Sequence, residues 1–248
     1  MIPQRLLPVV LDQLFPVIDG PSGLSRVVPL LNERGGEFCA SLRVDTEMVA
    51  ATCRSGFLPM SEDFTGYEVL LVKAHEQRCV LALADLHVSR STRRRARSLT
   101  IALDRDFERC LLATVSFHRE RWLTDRLCAS LRALHRSPVA GVRMRSVEVY
   151  ADDRLVAGEI GYTCGAAYTS MSGFHLESGA GSVQLASLGV LLRRAGFAFW
   201  DLGMPIEYKL ALGARVLGRE VFLGAYASVR DGRTPAIESP ASCDALLS

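Results

Sequence analysis

The chain has 248 residues, enough to bury a sizeable core in one large domain or two unequal ones. Its 49% hydrophobic and 23% charged composition excludes a disordered chain, and no apolar run reaches the roughly 18 residues of a membrane span. A net charge of +2 does not mark the whole chain as a nucleic-acid binder.

The first 37 residues carry Pro3, Pro8 and Pro16 and end at Glu33-Arg34-Gly35-Gly36, which predicts an irregular piece without a secretory cleavage site. Asp45 is an N-cap candidate for a helix through Cys53. Val69 to Val72 and Cys79 to Leu83 read as strands, and the polar stretch between them predicts a hairpin-like return. These features compose a small N-terminal module over 1–85, with a larger unit over 86–248.

In the larger unit Asp104 and Thr124 are cap candidates for two helices, each burying one apolar stripe. Strands at 146–151, 155–162 and 167–174, joined by short polar turns, predict an antiparallel meander. Ser182 is a cap candidate for an apolar helix that stops at Arg193-Arg194 and Gly196. A buried strand over 197–202, an amphipathic segment over 206–214 and a strand-like stretch over 220–228 follow, and only the two ends look loose. The order β-β-β-α-β-α-β is α+β with a mixed central sheet.

Seven scattered cysteines, with no close Cys-x-x-Cys pair, read as reduced thiols of a cytoplasmic protein and offer no metal site. Of the 29 basic residues only Lys73 and Lys209 are lysines, and Arg90, Arg93, Arg94, Arg95 and Arg97 crowd one segment. That cluster is either a solvated helix face or a set of phosphate contacts. Asp201 ends an apolar strand on the side of Phe197 and Phe199. It is either half of an ion pair with Lys209 or Arg215, or a carboxylate that orients an amine nucleophile. In the strand before the helix, alternation puts Tyr168, Ser170, Ser172 and Phe174 on one face, as core or as pocket wall. The glycine-rich turn from Leu176 to Ser182 opens a helix N-terminus that could face an anion.

In order, Leu86-His-Val-Ser-Arg90-Ser, Trp122-Leu-Thr124, Ser146-Val-Glu148-Val, Trp200-Asp201 and Leu212-Gly213-Ala214 strongly resemble the leucyl/phenylalanyl-tRNA-protein transferases over about residues 38–226. The resemblance implies an acetyltransferase-like (GNAT) sheet flanked by helices. It also implies transfer of an amino acid, Leu or Phe first, from charged tRNA to the α-amine of an acceptor protein's N-terminus, marking that protein for degradation. No cofactor or metal is implied beyond aminoacyl-tRNA as co-substrate, and no membrane partner.

By the same resemblance Asp201 assists attack by the amine. The Tyr168 to Phe174 strand with Leu188 and Leu192 holds the donor side chain, and Trp122 packs near the donor's terminal adenosine. Lys73 and the arginine cluster then join Trp122 in holding the RNA. The chain departs from the family at Met171 and Gly203, where a glutamate and a glutamine are expected, and at Leu71-Val72, where a tryptophan pair is expected. Glu159 stands where a pocket methionine is expected, and with Glu207 it leaves open a basic acceptor or a basic donor, as in arginyl transfer. An acyl-CoA N-acyltransferase, disfavoured by Leu176, and a non-catalytic RNA-binding homologue are the competing readings.

Overall fold

The computed structural model describes residues 6–118 and 122–248. They fall into two compact units. The first comprises residues up to 76 together with 122–142, and the second comprises 77–118 together with 143–248. The single cut expected after residue 85 is replaced by this division, because the segment from Trp122 onward is anchored to the first unit: the Trp122 carbonyl accepts bonds from the Ser61 backbone N–H at 3.1 Å and hydroxyl at 3.0 Å.

In the first unit residues 6–37, expected to be irregular, are largely helical. Helices α1 (Leu7–Leu14) and α2 (Val27–Arg34) flank a 3-10 turn over Pro21–Arg26. Pro8 sits in the first turn of α1, where its missing N–H removes no helical bond. Strand β1 (Phe38–Ser41) precedes α3 (Thr46–Arg54), and Asp45 caps α3 by accepting from the Met48 N–H at 2.9 Å. Strands β2 (Leu58–Phe64) and β3 (Tyr67–Lys73) complete an antiparallel sheet of order β1-β3-β2. The expected return from 69–72 to 79–83 is not a hairpin, since β4 (Gln77–Leu81) pairs in the other unit's sheet.

The second unit is built on eight strands in the order β10-β4-β9-β8-β7-β6-β5-β11. After β4 come α4 (Arg90–Arg95), β5 (Leu99–Leu103) and α5 (Phe107–Phe117). Asp106 rather than Asp104 caps α5, accepting from the Arg109 N–H at 3.0 Å. Asp104 lies at a φ of 57° and instead accepts from the Ser146 N–H. In the first unit, α6 (Asp125–Arg136) follows Thr124, whose hydroxyl bonds the Glu68 carboxylate. Thr124 is the N-cap residue, as expected, but its side chain makes no cap bond, and Glu68 instead accepts from the Arg126 and Leu127 N–H groups at 3.0 and 3.3 Å.

The expected meander is β6 (Val142–Ala151), β7 (Arg154–Cys164) and β8 (Ala167–His175). Helix α7 (Ala180–Ala195) then crosses over to β9 (Phe199–Gly203), which pairs parallel with β8. The N-cap of α7 is Gly179, not Ser182, and Gly196 closes the helix in the left-handed conformation, as its sequence signals predict. Leu188 and Leu192 are fully buried with Tyr168 and Trp200 in one apolar core, each leucine contributing about 1.5–3 kcal/mol.

Helix α8 (Glu207–Ala211) and strand β10 (Arg215–Gly218) follow, and the strand-like 220–228 stretch is instead α9 (Arg219–Ala227). Phe222 and Tyr226, four residues apart, are buried and stack at 5.8 Å, which is helical spacing. The C-terminal residues are not loose. Strand β11 (Ala241–Ser242) pairs with β5, and α10 (Cys243–Leu247) buries Cys243, Leu246 and Leu247. All seven cysteines are free and buried.

Candidate active site

Strands β8 and β9 pair only through Ala167–Phe199, Tyr168–Trp200 and Thr169–Asp201. Beyond that point β8 continues to His175 and β9 to Gly203, and the gap between them opens a cavity of about 510 Å³. Such a divergence exposes main chain and side chains at the carboxyl ends of two strands, a common place for ligands in sheets with helical crossovers.

A β-bulge shapes the cavity wall. Gly161 pairs with Ser170 and Ile160 with Ser172, so Met171 has no partner and the alternation of β8 resets there. Tyr168 and Ser170 therefore share the face of Glu159, under α7. Ser172 and Phe174 turn to the opposite face, where the His118 ring at the end of α5 meets Ser172 Oγ at 2.9 Å and the Gly173 carbonyl at 3.0 Å. The single face expected for these four side chains is thus split by the bulge. Ser170, Ser172 and Phe174 line the cavity, whereas Tyr168 is wholly buried behind it.

Glu159 lines the same cavity, although it is only 2% exposed. One carboxylate oxygen accepts from Tyr168 Oη at 2.9 Å and Ser170 Oγ at 2.8 Å, and the other from Gln184 Nε2 at 3.1 Å. Trp200 Nε1 donates to Ser170 Oγ at 2.9 Å, so a buried tryptophan fixes the serine that fixes the glutamate. Burial pushes the Glu159 carboxyl above its ordinary pKa, and the hydrogen bonds from Ser170, Tyr168 and Gln184 pull it partly back. The Tyr168 hydroxyl is driven up by burial and by the adjacent Glu159 charge.

Asp201 lies on the other face of the sheet. Its fully buried carboxylate is held by Arg78, with Nε to Oδ1 at 2.8 Å and Nη2 to Oδ2 at 2.7 Å. Oδ1 also accepts from the Gly203 N–H at 2.9 Å. Its ion-pair partner is therefore Arg78, not Lys209 or Arg215; Arg215 pairs with Asp85 at 2.8 Å. Burial opposes the Arg78 charge, but the attraction and hydrogen bonds of Asp201 outweigh it and hold the guanidinium pKa above its ordinary value. The Phe222 ring lies 4.9 Å from the guanidinium and closes this face. Asp201 is absent from the cavity wall, and its link to the cavity is indirect: it holds the N–H of Gly203, which turns β9 at a φ of 76°.

Lys209 completes the wall. It reaches back from α8 to donate to the Leu202 carbonyl at 2.5 Å and the Met204 carbonyl at 3.1 Å, on either side of Gly203. Burial pulls its ammonium pKa below the ordinary lysine value. Gln184, Arg78 and Lys209 are the site residues that sequence reasoning passed over in these roles. The signal available for Lys209 was its rarity, as one of two lysines in an arginine-rich chain.

Other expected residues lie elsewhere. Leu188 and Leu192 belong to the core, and the α7 residues that line the cavity are Gly181, Ser182, Gln184 and Leu185. Glu207 is exposed in the first turn of α8. Arg90, Arg93, Arg94 and Arg95 lie on α4 and Arg97 just after it, all exposed, while Thr92 and Ala96 supply the buried side. Arg93 donates to the Leu247 carbonyl, and the Arg95 side chain packs over Gly179. In the first unit, Trp122 is half-buried, and Lys73 is held 3.8 Å from Glu37 with its ammonium 5.1 Å from the Phe38 ring centre. Leu71 and Val72 are buried in β3. Leu176 is exposed beside Glu177, which pairs with Arg154 at 2.6 Å. No cluster of three or more His, Cys, Asp or Glu side chains suited to a metal occurs among the described residues.

Residues 80–227 match the family model of leucyl/phenylalanyl-tRNA protein transferases. The chain belongs to this family. A transferase of that name from Pseudomonas paraeruginosa is 30% identical over 206 residues, covering 81% of this chain and 88% of the relative. Another from Jannaschia sp. is 32% identical over 167 residues, covering 66% of this chain and 76% of the relative. Among solved structures, FemX aligns with 82% of this chain and 78% of its own at 11% identity and a TM-score of 0.43. The family match spans β9 and every residue that lines the cavity, while Arg78, the partner of Asp201, lies just before the matched region.

Proposed function

We propose that this chain is an aminoacyl-tRNA-protein transferase that moves an amino acid, Leu or Phe first, from charged tRNA to the N-terminal α-amine of an acceptor protein, tagging it for degradation in the cytoplasm. The observation that carries this reading is the cavity at the divergence of β8 and β9 in a chain of this family. The architecture is read as acetyltransferase-like, with the second unit catalytic and the first a small accessory module.

The chemistry asks little of the protein. The aminoacyl ester is already activated, and an α-amine of reference pKa about 7.7–8.0 is partly neutral near pH 7. Attack then needs positioning of the two reactants and donors for the developing oxyanion, without any cofactor. In this reading the cavity holds the donor's aminoacyl end. The exposed arginines of α4, with Trp122 and Lys73, serve the RNA. Asp201 is a positioning residue that works with Arg78 through the Gly203 turn.

A donor with a basic side chain is the second reading, and Glu159 favours it. Its carboxylate faces the cavity and accepts hydrogen bonds from neutral partners, and among the described residues one of its oxygens accepts only the Gln184 amide. The test supplies the full-length protein with a completely charged tRNA pool and peptides differing only at the N-terminal residue, read by mass spectrometry. A gain of the Leu or Phe residue mass supports the first reading, and a gain of Arg or Lys the second. No gain on any peptide, with intact charged tRNA and folded protein, overturns the transferase reading.

A further inference from the structure

We infer that Lys209 is a catalytic residue of the proposed transfer, whose third ammonium N–H donates to the oxyanion formed at the donor's ester carbonyl. The inference rests on the transferase reading and adds a residue that the family resemblance did not supply.

An ammonium carries three donors and no acceptor. Two of the Lys209 donors go to the Leu202 and Met204 carbonyls, which fixes Nζ at the end of β9 and leaves the third proton without an acceptor among the described residues. Lys209 is part of the cavity wall, and it is the only lysine or arginine there among the described residues. Gly203, between the two carbonyls, contributes no side chain to this wall. A Cβ placed on it would meet only the Ser170 carbonyl, at 3.9 Å. A purely structural clamp would account for the two carbonyl bonds, but not for a partly buried cation presented to a cavity with a donor to spare.

In the step itself, the acceptor's amine nitrogen bonds to the ester carbonyl carbon and the C=O electron pair moves onto oxygen. That oxygen takes the Lys209 N–H as a hydrogen bond. Collapse re-forms the C=O and breaks the bond to the terminal ribose oxygen of the tRNA. The ribose oxygen leaves with a proton, which balances the one lost from the attacking amine. Lys209 returns unchanged. A preorganised donor of this kind is worth on the order of 10²–10³ in rate.

The charged and titratable groups around Lys209 are Cys79 and Arg78 on β4, Asp201 on β9 and Glu159 on β7, with Tyr208 beside it. Because burial lowers the lysine pKa, the protonated donor is lost as pH rises through a value below that of a free lysine. The wild-type rate should therefore show an alkaline limb.

The experiment measures single-turnover transfer across pH for wild type, Lys209→Met and Lys209→Arg, with tRNA affinity and thermal melting followed in parallel. Expected are a loss on the order of 10²-fold in Lys209→Met at unchanged tRNA affinity, and at least tenfold recovery in Lys209→Arg. The alkaline limb should disappear in the arginine variant, because a guanidinium stays charged. If Lys209→Met fails to fold, the pH profile of Lys209→Arg alone decides: an unmoved alkaline limb overturns the proposal. A wild type that transfers, with Lys209→Met within threefold of it, overturns the proposal alone. A wild type that transfers nothing overturns the transferase reading and this proposal with it.

Discussion

Two carboxylates are buried almost equally in the central sheet, yet their surroundings are opposite. Asp201 faces a guanidinium in bidentate geometry and sits outside the cavity wall, whereas Glu159 is held by a phenol, a serine and an amide and lines it. A charge paired with a buried cation is committed to the fold, because losing either partner strands the other. A carboxylate satisfied by neutral donors can exchange a proton or accept a further donor without breaking an ion pair. Burial alone therefore does not distinguish a structural carboxylate from one available to a ligand; the charge of its partners and its access to a cavity do.

The largest effect that would sharpen this contrast is on the Asp201 side. Arg78→Met leaves a buried unpaired aspartate and should cost about 3–5 kcal/mol, measured by urea denaturation. The double change Arg78→Met with Asp201→Leu should recover most of that loss. A single variant as stable as wild type would break the claim that the pair is committed to the fold. Trp200→Phe, on the Glu159 side, removes the indole donor to Ser170 and leaves a void beside α7. It should cost about 1–3 kcal/mol and loosen the serine that holds Glu159, which shows as lower transfer even after correction for the folded fraction.

Glu159→Gln should have the smallest effect on stability at low pH, within about 1 kcal/mol, because the amide keeps the shape and at least one partner. Its value is in the sign of the pH dependence. The folded-state pKa of Glu159 is raised, so its favourable contribution is present below the unfolded value near 4.5 and is lost as pH rises through the higher folded value. The variant should therefore gain on the wild type in melting temperature as pH climbs above about 4.5. A variant that loses ground over that range would contradict the assignment of Glu159 as a carboxylate held by neutral donors rather than by an ion pair.

How much of this was legible depended on the range of the interaction. The cap at Asp45, the meander and the stop at Gly196 are set by neighbours in sequence, and the expectations matched them. The partner of Asp201 is 123 residues away and no local pattern announces it. The bulge at Met171 was equally hidden, since one unpaired residue is fixed by pairing with β7 and leaves the alternation of β8 itself unremarkable. That single residue moved Ser172 and Phe174 to the other face. The 220–228 stretch misled because a short apolar run fits either period, and only the burial of Phe222 with Tyr226 decides it.

The most direct test is the structure of the full-length protein with a stable amide analogue of an aminoacyl adenosine. The account predicts the aminoacyl group in the cavity between β8 and β9, with its carbonyl oxygen within hydrogen-bond reach of Lys209 Nζ and its side chain towards Glu159 and Gln184. An analogue bound on the opposite face, touching Asp201 after displacing Arg78, would contradict it.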